Sequence, residues 1–258
     1  MRLYLAVTPD KLQTAAGYTK LLAHMAYRIG PQGQLTRQNL MRPRGGLMLL
    51  SDRDCGPIRD TSALCRSIWQ ECGNRGFGGV AADFEQPCTP DRVQFLQKLA
   101  PLLARNGRQL FVPEQYGQQV AQASVLICTA ISGGTLQQRL EEAQQRFGPR
   151  LALDLQRLRM SFPLPCLRGE GTPLTDEELR QLMEQRKPAV FYSADLCAKY
   201  FTITRDGHSR FILFDDADTL LKKIQIGRKL QIHSGFLMYP EVTDLLENLF
   251  PSQGASGI

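Results

Sequence analysis

The chain has 258 residues, of which 43 % are hydrophobic and 22 % charged, and its formal net charge is +6. Those proportions belong to an ordinary soluble globular protein with a large core, and the length suits a single α/β barrel of roughly 250 residues. The basic residues are scattered, with no arginine-rich arm and no recognition-helix pattern. The excess therefore marks a solvated surface, or at most an affinity for an anionic polymer, and nucleic acid is not an expected partner.

Short apolar runs recur along the chain. The first is LYLAV (3–7), and the connection after it, around residues 10–20, is short and weakly helical. LLAHMAYRI (21–29), GLMLL (46–50) and GGVAADFE (78–85) follow. Thr89-Pro90-Asp91 then opens a helix with Val93, Leu96, Leu99 and Leu103 on one face. QLFVP (109–113) and SVLICTAI (124–131) are the next two runs. Thr135 with Gln138 reads as a capping box before Leu140, Ala143 and Phe147, and Gly148 closes that helix. RLALDL (150–155) is the seventh run, and Thr175 with Glu178 repeats the capping device before Leu179, Leu182 and Met183. Alternating apolar residues on both sides of Asp206-Gly207, in YFTIT (200–204) and RFILF (210–214), predict a β-hairpin. Leu220, Leu221 and Ile224 mark a last long helix with Asp215 and Asp216 near its start, before SGFLMY (234–239).

Continuous apolar runs, rather than strict alternation, suit parallel strands covered on both faces. Eight such runs with mostly helical connections predict a single (β/α)8 TIM barrel over residues 1–250. A small β-hairpin insertion, at about 187–216, separates strands seven and eight, and 251–258 is a polar tail.

The seven cysteines form no Cys-x-x-Cys pair and the three histidines lie far apart, so reduced buried thiols are expected, with no metal and no cofactor. No segment reaches the roughly 18 apolar residues of a membrane span and MRLYLAVTPD is not a secretion signal, so the reading as written is cytoplasmic with no membrane partner. The acid-rich FDDAD (214–218) lacks EF-hand spacing and reads as helix capping. Nothing in the residues sets an oligomeric state.

In such barrels the functional groups stand at the C-terminal strand ends. Those ends carry Tyr27, Asp52, Asp83, Glu85, Glu114, Tyr116, Asp154, Tyr239 and Glu241. Asp83 and Glu85 are two apart and share a face, which the barrel turns inward. Neighbouring carboxyls disfavour joint ionisation, so one tends to keep a proton, as a general acid requires. Glycosidic cleavage commonly uses two carboxyls, one of them a proton donor. Glu114 is either a second cleft acid or a solvated loop acid. Asp154 is either a cleft residue or the partner of a buried base such as Arg157. Tyr27 either contacts sugar or packs at the barrel top.

GGVAADFE resembles the fourth-strand signature of family 18 glycoside hydrolases, Asp-Gly-x-Asp-x-Asp-x-Glu, at Gly78, Gly79, Ala81, Asp83 and Glu85. The likeness continues in order. LLAHMAYRIGPQGQL is similar to the second strand of the branch that holds spore cortex-lytic and LysM-linked enzymes. VLICTAISGG is similar to its sixth strand and RLALDLQRLRMSFPLP to its seventh. YFTITRDGHSRFILFDDADTLLKKIQI is similar to the hairpin and helix before the eighth, so the resemblance spans about residues 1–245. It implies a glycan partner, an N-acetylglucosamine-containing polymer of peptidoglycan or chitin type, and an association with the spore or mother cell. It implies that Glu85 protonates the glycosidic oxygen. Asp83 would steady the substrate's own N-acetyl group as nucleophile. Tyr27, Glu114, Tyr116, Asp154, Met238 and Tyr239 are the candidate sugar contacts, although Tyr239 faces away from Met238 unless the register differs by one. Three positions depart from the pattern. Ala81 replaces an Asp, Ala130-Ile131 stands where the sixth strand offers Tyr and an acid or amide, and Met238 stands near the eighth-strand Trp. The alternative is therefore a chitinase-like carbohydrate-binding protein that keeps the cleft without turnover.

Overall fold

The computed structural model describes residues 1–38, 42–166, 169–205 and 207–251. In chain order the elements begin with β1 (Arg2–Val7), α1 (Leu12–Ala16), β2 (Leu22–Ile29), β3 (Leu35–Arg37), β4 (Leu47–Ser51), α2 (Thr61–Arg75) and β5 (Gly79–Asp83). They continue with α3 (Pro90–Ala104), β6 (Gln109–Pro113), β7 (Ser124–Cys128), α4 (Leu136–Phe147), β8 (Leu151–Asp154), β9 (Arg159–Leu164) and β10 (Thr172–Pro173). The last are α5 (Asp176–Arg186), β11 (Phe191–Ser193), β12 (Ala198–Arg205), β13 (His208–Phe214), α6 (Ala217–Lys229), β14 (Ser234–Met238), α7 (Tyr239–Val242) and α8 (Leu246–Leu249).

The parallel strands run β1-β14-β8-β7-β6-β5-β4-β2, and β2 pairs back onto β1, so the sheet closes as the predicted eight-stranded barrel. Alternate side chains explain the continuous apolar runs. One set points inward: Tyr4, Ala6, Ala23, Leu47, Leu49, Ala81, Phe111, Ala152 and Phe236 form a single cluster. The other set meets the helices in two outer clusters. The inner alanines leave room for three rings. Tyr4 stacks on Phe236 at 5.0 Å and Phe111 meets Phe236 edge-on at 4.9 Å, so the lower barrel is filled. At the base, Gly79 approaches β6 so closely that a Cβ would lie 2.2 Å from the Gln109 carbonyl oxygen. Packing alone therefore demands glycine there.

The predicted helices form, with local differences. Leu96, Leu99 and Leu103 of α3 are buried as expected. Thr135 precedes α4 without a side-chain cap, whereas Thr175 and Glu178 make the full capping box of α5. Asp216 caps α6 through Thr219. Asp215 does something else: its carboxylate is fully buried and meets Lys223 Nζ at 2.6 Å. It also accepts from Leu158 N, which ties the exit of β8 to α6. Helix α2 has no clear apolar stripe in the sequence, because two of its buried positions are Cys65 and Cys72.

The insertion is larger than the expected hairpin. That hairpin is present as β12 and β13, while its turn residue Asp206 lies outside the described residues. It belongs to a five-stranded antiparallel sheet ordered β10-β9-β13-β12-β11, which begins at Arg159 rather than near 187. The reason is β9, which follows β8 closely yet pairs with β13, Phe162 opposite Phe211. No local pattern announces a partner so distant in sequence. One face of this sheet packs on α5 through Leu179, Phe201, Ile212 and Phe214. The other holds Leu158, Phe162, Ala198 and Leu213, with Ala130 against them.

Candidate active site

Above the aromatic filling, the barrel mouth opens into a cleft of about 320 Å³. Asp83 stands there one inward step above Ala81, beside Ser51 of the neighbouring strand. Burial, then the charges of Glu85 and Asp52, push its carboxyl up to about 6. Glu85 lies just past the strand end, exposed in the same cleft.

The turn that carries Glu85 is held from beneath. Asp52, fully buried, accepts from the Glu85 amide at 2.9 Å through Oδ1. Its Oδ2 lies 3.2 Å from Arg92 Nε, an ion pair without the alignment of a hydrogen bond. Arg92 donates in turn to Thr89 Oγ1 at 2.9 Å and to Gln86 Oε1 at 2.7 Å. A buried charge is tolerated when it is paired in this way. Asp52 is thus the support of the Glu85 turn.

Asp154, the last residue of β8, lines the opposite side of the cleft on the same inward face as Ala152. Burial, then Glu241 and Asp83, push its carboxyl up to about 7. It is a cleft residue and not the partner of Arg157, which pairs with Asp244 at 2.6 Å and Asp176 at 3.3 Å. Glu241, at the start of the segment after β14, is raised by burial, although it accepts from the Arg157 amide at 3.2 Å. Glu114 also reaches the cleft, but both its oxygens are engaged, by Arg139 at 2.8 Å and Arg146 at 2.7 Å. It is neither a free second acid nor a solvated loop acid. Met238 lines the floor.

Three expected contacts are elsewhere. Tyr27 would face inward by simple alternation, but an irregularity between His24 and Tyr27 shifts the register of β2. Its ring is 2 % exposed, edge-on to Phe77, and its hydroxyl donates to Glu71 Oε1 at 2.8 Å beneath α2. Tyr116 closes the tight turn that Glu114 opens, and its fully buried ring packs against Phe84 outside the barrel. Tyr239 follows Met238 and points the other way, into the outer apolar cluster.

Two further cleft residues were not anticipated. Cys128 ends β7 opposite Asp154, and Gln156 is two residues beyond Asp154; the thiol donates to Gln156 Oε1 at 3.4 Å. Both stand on the inward period of two, Cys128 one step after Leu126 and Gln156 one step after Asp154. Gln156 and Glu241 also border a second space of about 330 Å³, roofed by the insertion near Phe162, and Ala130 belongs to that space and not to the first. Among the described residues no group of three or more His, Cys, Asp or Glu side chains could hold a metal ion. No helix among them is long and apolar enough to cross a membrane.

No family model matches the sequence, and no curated protein matches it. Solved structures do. A chitinase from Chromobacterium violaceum is 16 % identical with a TM-score of 0.74, covering 100 % of this chain and 99 % of its own. A family 18 N-acetylglucosaminidase from Paenibacillus barengoltzii is 13 % identical with a TM-score of 0.71, covering 96 % and 98 %. The spore cortex-lytic enzyme SleL of Bacillus megaterium is 17 % identical with a TM-score of 0.67, covering 96 % and 74 %. The fold is therefore the chitinase-like barrel of family 18 glycoside hydrolases, similar to that of the spore cortex-lytic branch.

Proposed function

We propose that the protein is a glycosidase acting on an N-acetylglucosamine-containing polysaccharide of chitin or peptidoglycan type. The observation that carries this reading is the pair Asp83 and Glu85 at the mouth of a family 18 fold, with Asp83 holding a proton above the usual carboxylate range. Glu85 donates its proton to the glycosidic oxygen as the bond to the anomeric carbon breaks. The substrate's acetamido oxygen bonds to that carbon in the same step, with Asp83 accepting from the acetamido N–H. Water then attacks the anomeric carbon and passes a proton to Glu85 as the bond to the acetamido oxygen breaks, which restores the N-acetyl group, so the configuration is retained. Asp154 and Met238 contact the bound sugar, and Glu114 shapes the rim with its two arginines. No cofactor enters this scheme. The likeness to SleL supports a cell-wall substrate and a place in the spore or mother cell.

A second reading, a binding protein without turnover, is favoured by Ala81, Ala130 and Met238, the three positions that depart from the family pattern. One experiment separates the two. Wild type and Glu85→Gln are incubated with defined chito-oligosaccharides and with purified peptidoglycan. Product from wild type alone supports the hydrolase. Sugar binding without product supports the binder, and equal turnover by both proteins removes Glu85 as the acid.

A further inference from the structure

The cleft is rich in acceptors and poor in donors. Asp83, Glu85, Asp154 and Glu241 all border it, and Glu114 is engaged by Arg139 and Arg146. The lining side chains that carry a permanent N–H or S–H are Gln156 and Cys128, and the thiol is turned onto Gln156. The sixth strand walls the cleft with Leu126 and Cys128, neither of which carries a hydroxyl, and Ala130 borders the neighbouring space instead. A bound acetamido sugar nonetheless brings a carbonyl oxygen that needs a donor once water is excluded.

Asp154 is placed to supply it. It ends an inward-facing strand position between Cys128 of β7 and Phe236 of β14. Among the described residues the two fully buried acids have cationic partners, Asp52 with Arg92 and Asp215 with Lys223, whereas Asp154 is partly buried in the cleft wall. The Asp154 carboxyl has neither a cation nor a hydrogen-bond donor beside it among the described residues. The charged groups that act on it are Asp83 from β5 and Glu241 from α7, with the Cys128 thiol alongside. Arg157 and Arg159 act on Glu241. Two acid neighbours and no cation favour the protonated form, whose O–H is a donor.

We infer that Asp154 is the residue that holds the acetamido oxygen of the sugar, donating a hydrogen bond from the seventh strand into a cleft whose sixth-strand wall, Leu126 and Cys128, carries no hydroxyl. This rests on the glycan reading above. It makes Asp154 a specificity group for N-acetylated sugars and ties their binding to its proton.

The test is calorimetric affinity for an N-acetylated chito-oligosaccharide across slightly acidic to mildly alkaline pH, with wild type, Asp154→Asn and Asp154→Ala. Wild type should bind well in acid and weaken through neutrality. Asp154→Asn keeps an N–H donor and should bind with that decline removed. Asp154→Ala should lose on the order of tenfold to a hundredfold at the acidic end. An infrared carboxylic-acid band in slightly acidic buffer should be present in wild type and reduced in Asp154→Asn. Wild-type binding with an unchanged affinity in Asp154→Ala, or with the same pH decline in Asp154→Asn, overturns the assignment. Should Asp154→Ala fail to fold, the Asn profile and the band decide alone. A wild type that binds no acetylated sugar at any pH instead overturns the glycan reading, and this inference with it.

Discussion

Arg92→Met is the most informative single change to stability. Arg92 neutralises Asp52, which is 0 % exposed, and also donates to Thr89 and Gln86. Removing one partner of a buried ion pair costs about 3–5 kcal/mol, because the remaining charge is left uncompensated. Asp52 retains the amides of Glu85 at 2.9 Å and Gln86 at 3.4 Å, so the lower end, about 3 kcal/mol, is expected. For a chain of this size each 1 kcal/mol moves Tm by about 2–4 °C, which places the loss at about 6–12 °C. Thermal unfolding followed by circular dichroism measures it. The second variant, Asp52→Asn with Arg92→Met, removes the stranded charge and keeps an oxygen for the Glu85 amide. It should recover most of the loss, and the non-additivity is the signature of the pair. A single Arg92→Met as stable as wild type, or a double variant less stable than the single, refutes the reasoning.

Other outcomes follow from the same contacts. Glu85→Gln should lower turnover of chito-oligosaccharide by about 100- to 10,000-fold while leaving Tm near that of wild type, since its side chain is exposed. Asp83 and Asp154 keep protons in the folded state, with values near 6 and 7, that the unfolded chain has lost above its ordinary value of 3.8. The folded state binds more protons across that window, so stability should fall as pH rises through it. Asp154→Asn removes its own share: melts should match wild type below about pH 4 and exceed it above about pH 7, by about 2 kcal/mol after screening by cleft water. Equal melts at alkaline pH would show that Asp154 ionises freely. Tyr27→Phe should cost about 1 kcal/mol through its lost bond to Glu71 and leave glycan affinity unchanged, which a sugar contact would not.

The barrel itself was legible because its signals are local. Eight apolar runs, helix caps at Thr175 and Asp216, and the Asp83–Glu85 spacing each occupy a few adjacent residues. The aromatic candidates were less so. Tyr27, Tyr116 and Tyr239 all stand at strand ends, but a ring at a strand end can turn to either side of the wall. A register shift, a tight turn and the strand's alternation turned these three outward. The extent of the insertion was hidden for another reason. β9 looks like a continuation of β8, and only its pairing with β13 makes it part of a second sheet.

What the sequence determined by itself is periodicity: which residues alternate, and hence that Asp83 and Glu85 leave their strand on one side. The backbone imposes that within a few residues, whatever lies around it. What the tertiary structure alone decided is the company each acid keeps. Glu114 meets arginines from α4, Asp52 meets Arg92 from α3, and Asp154 meets two further acids and, among the described residues, no cation. Those neighbours come from strands and helices far apart in the chain. Because a carboxyl's charge depends on burial and on what lies within a few ångströms, its chemistry existed only once the barrel had closed.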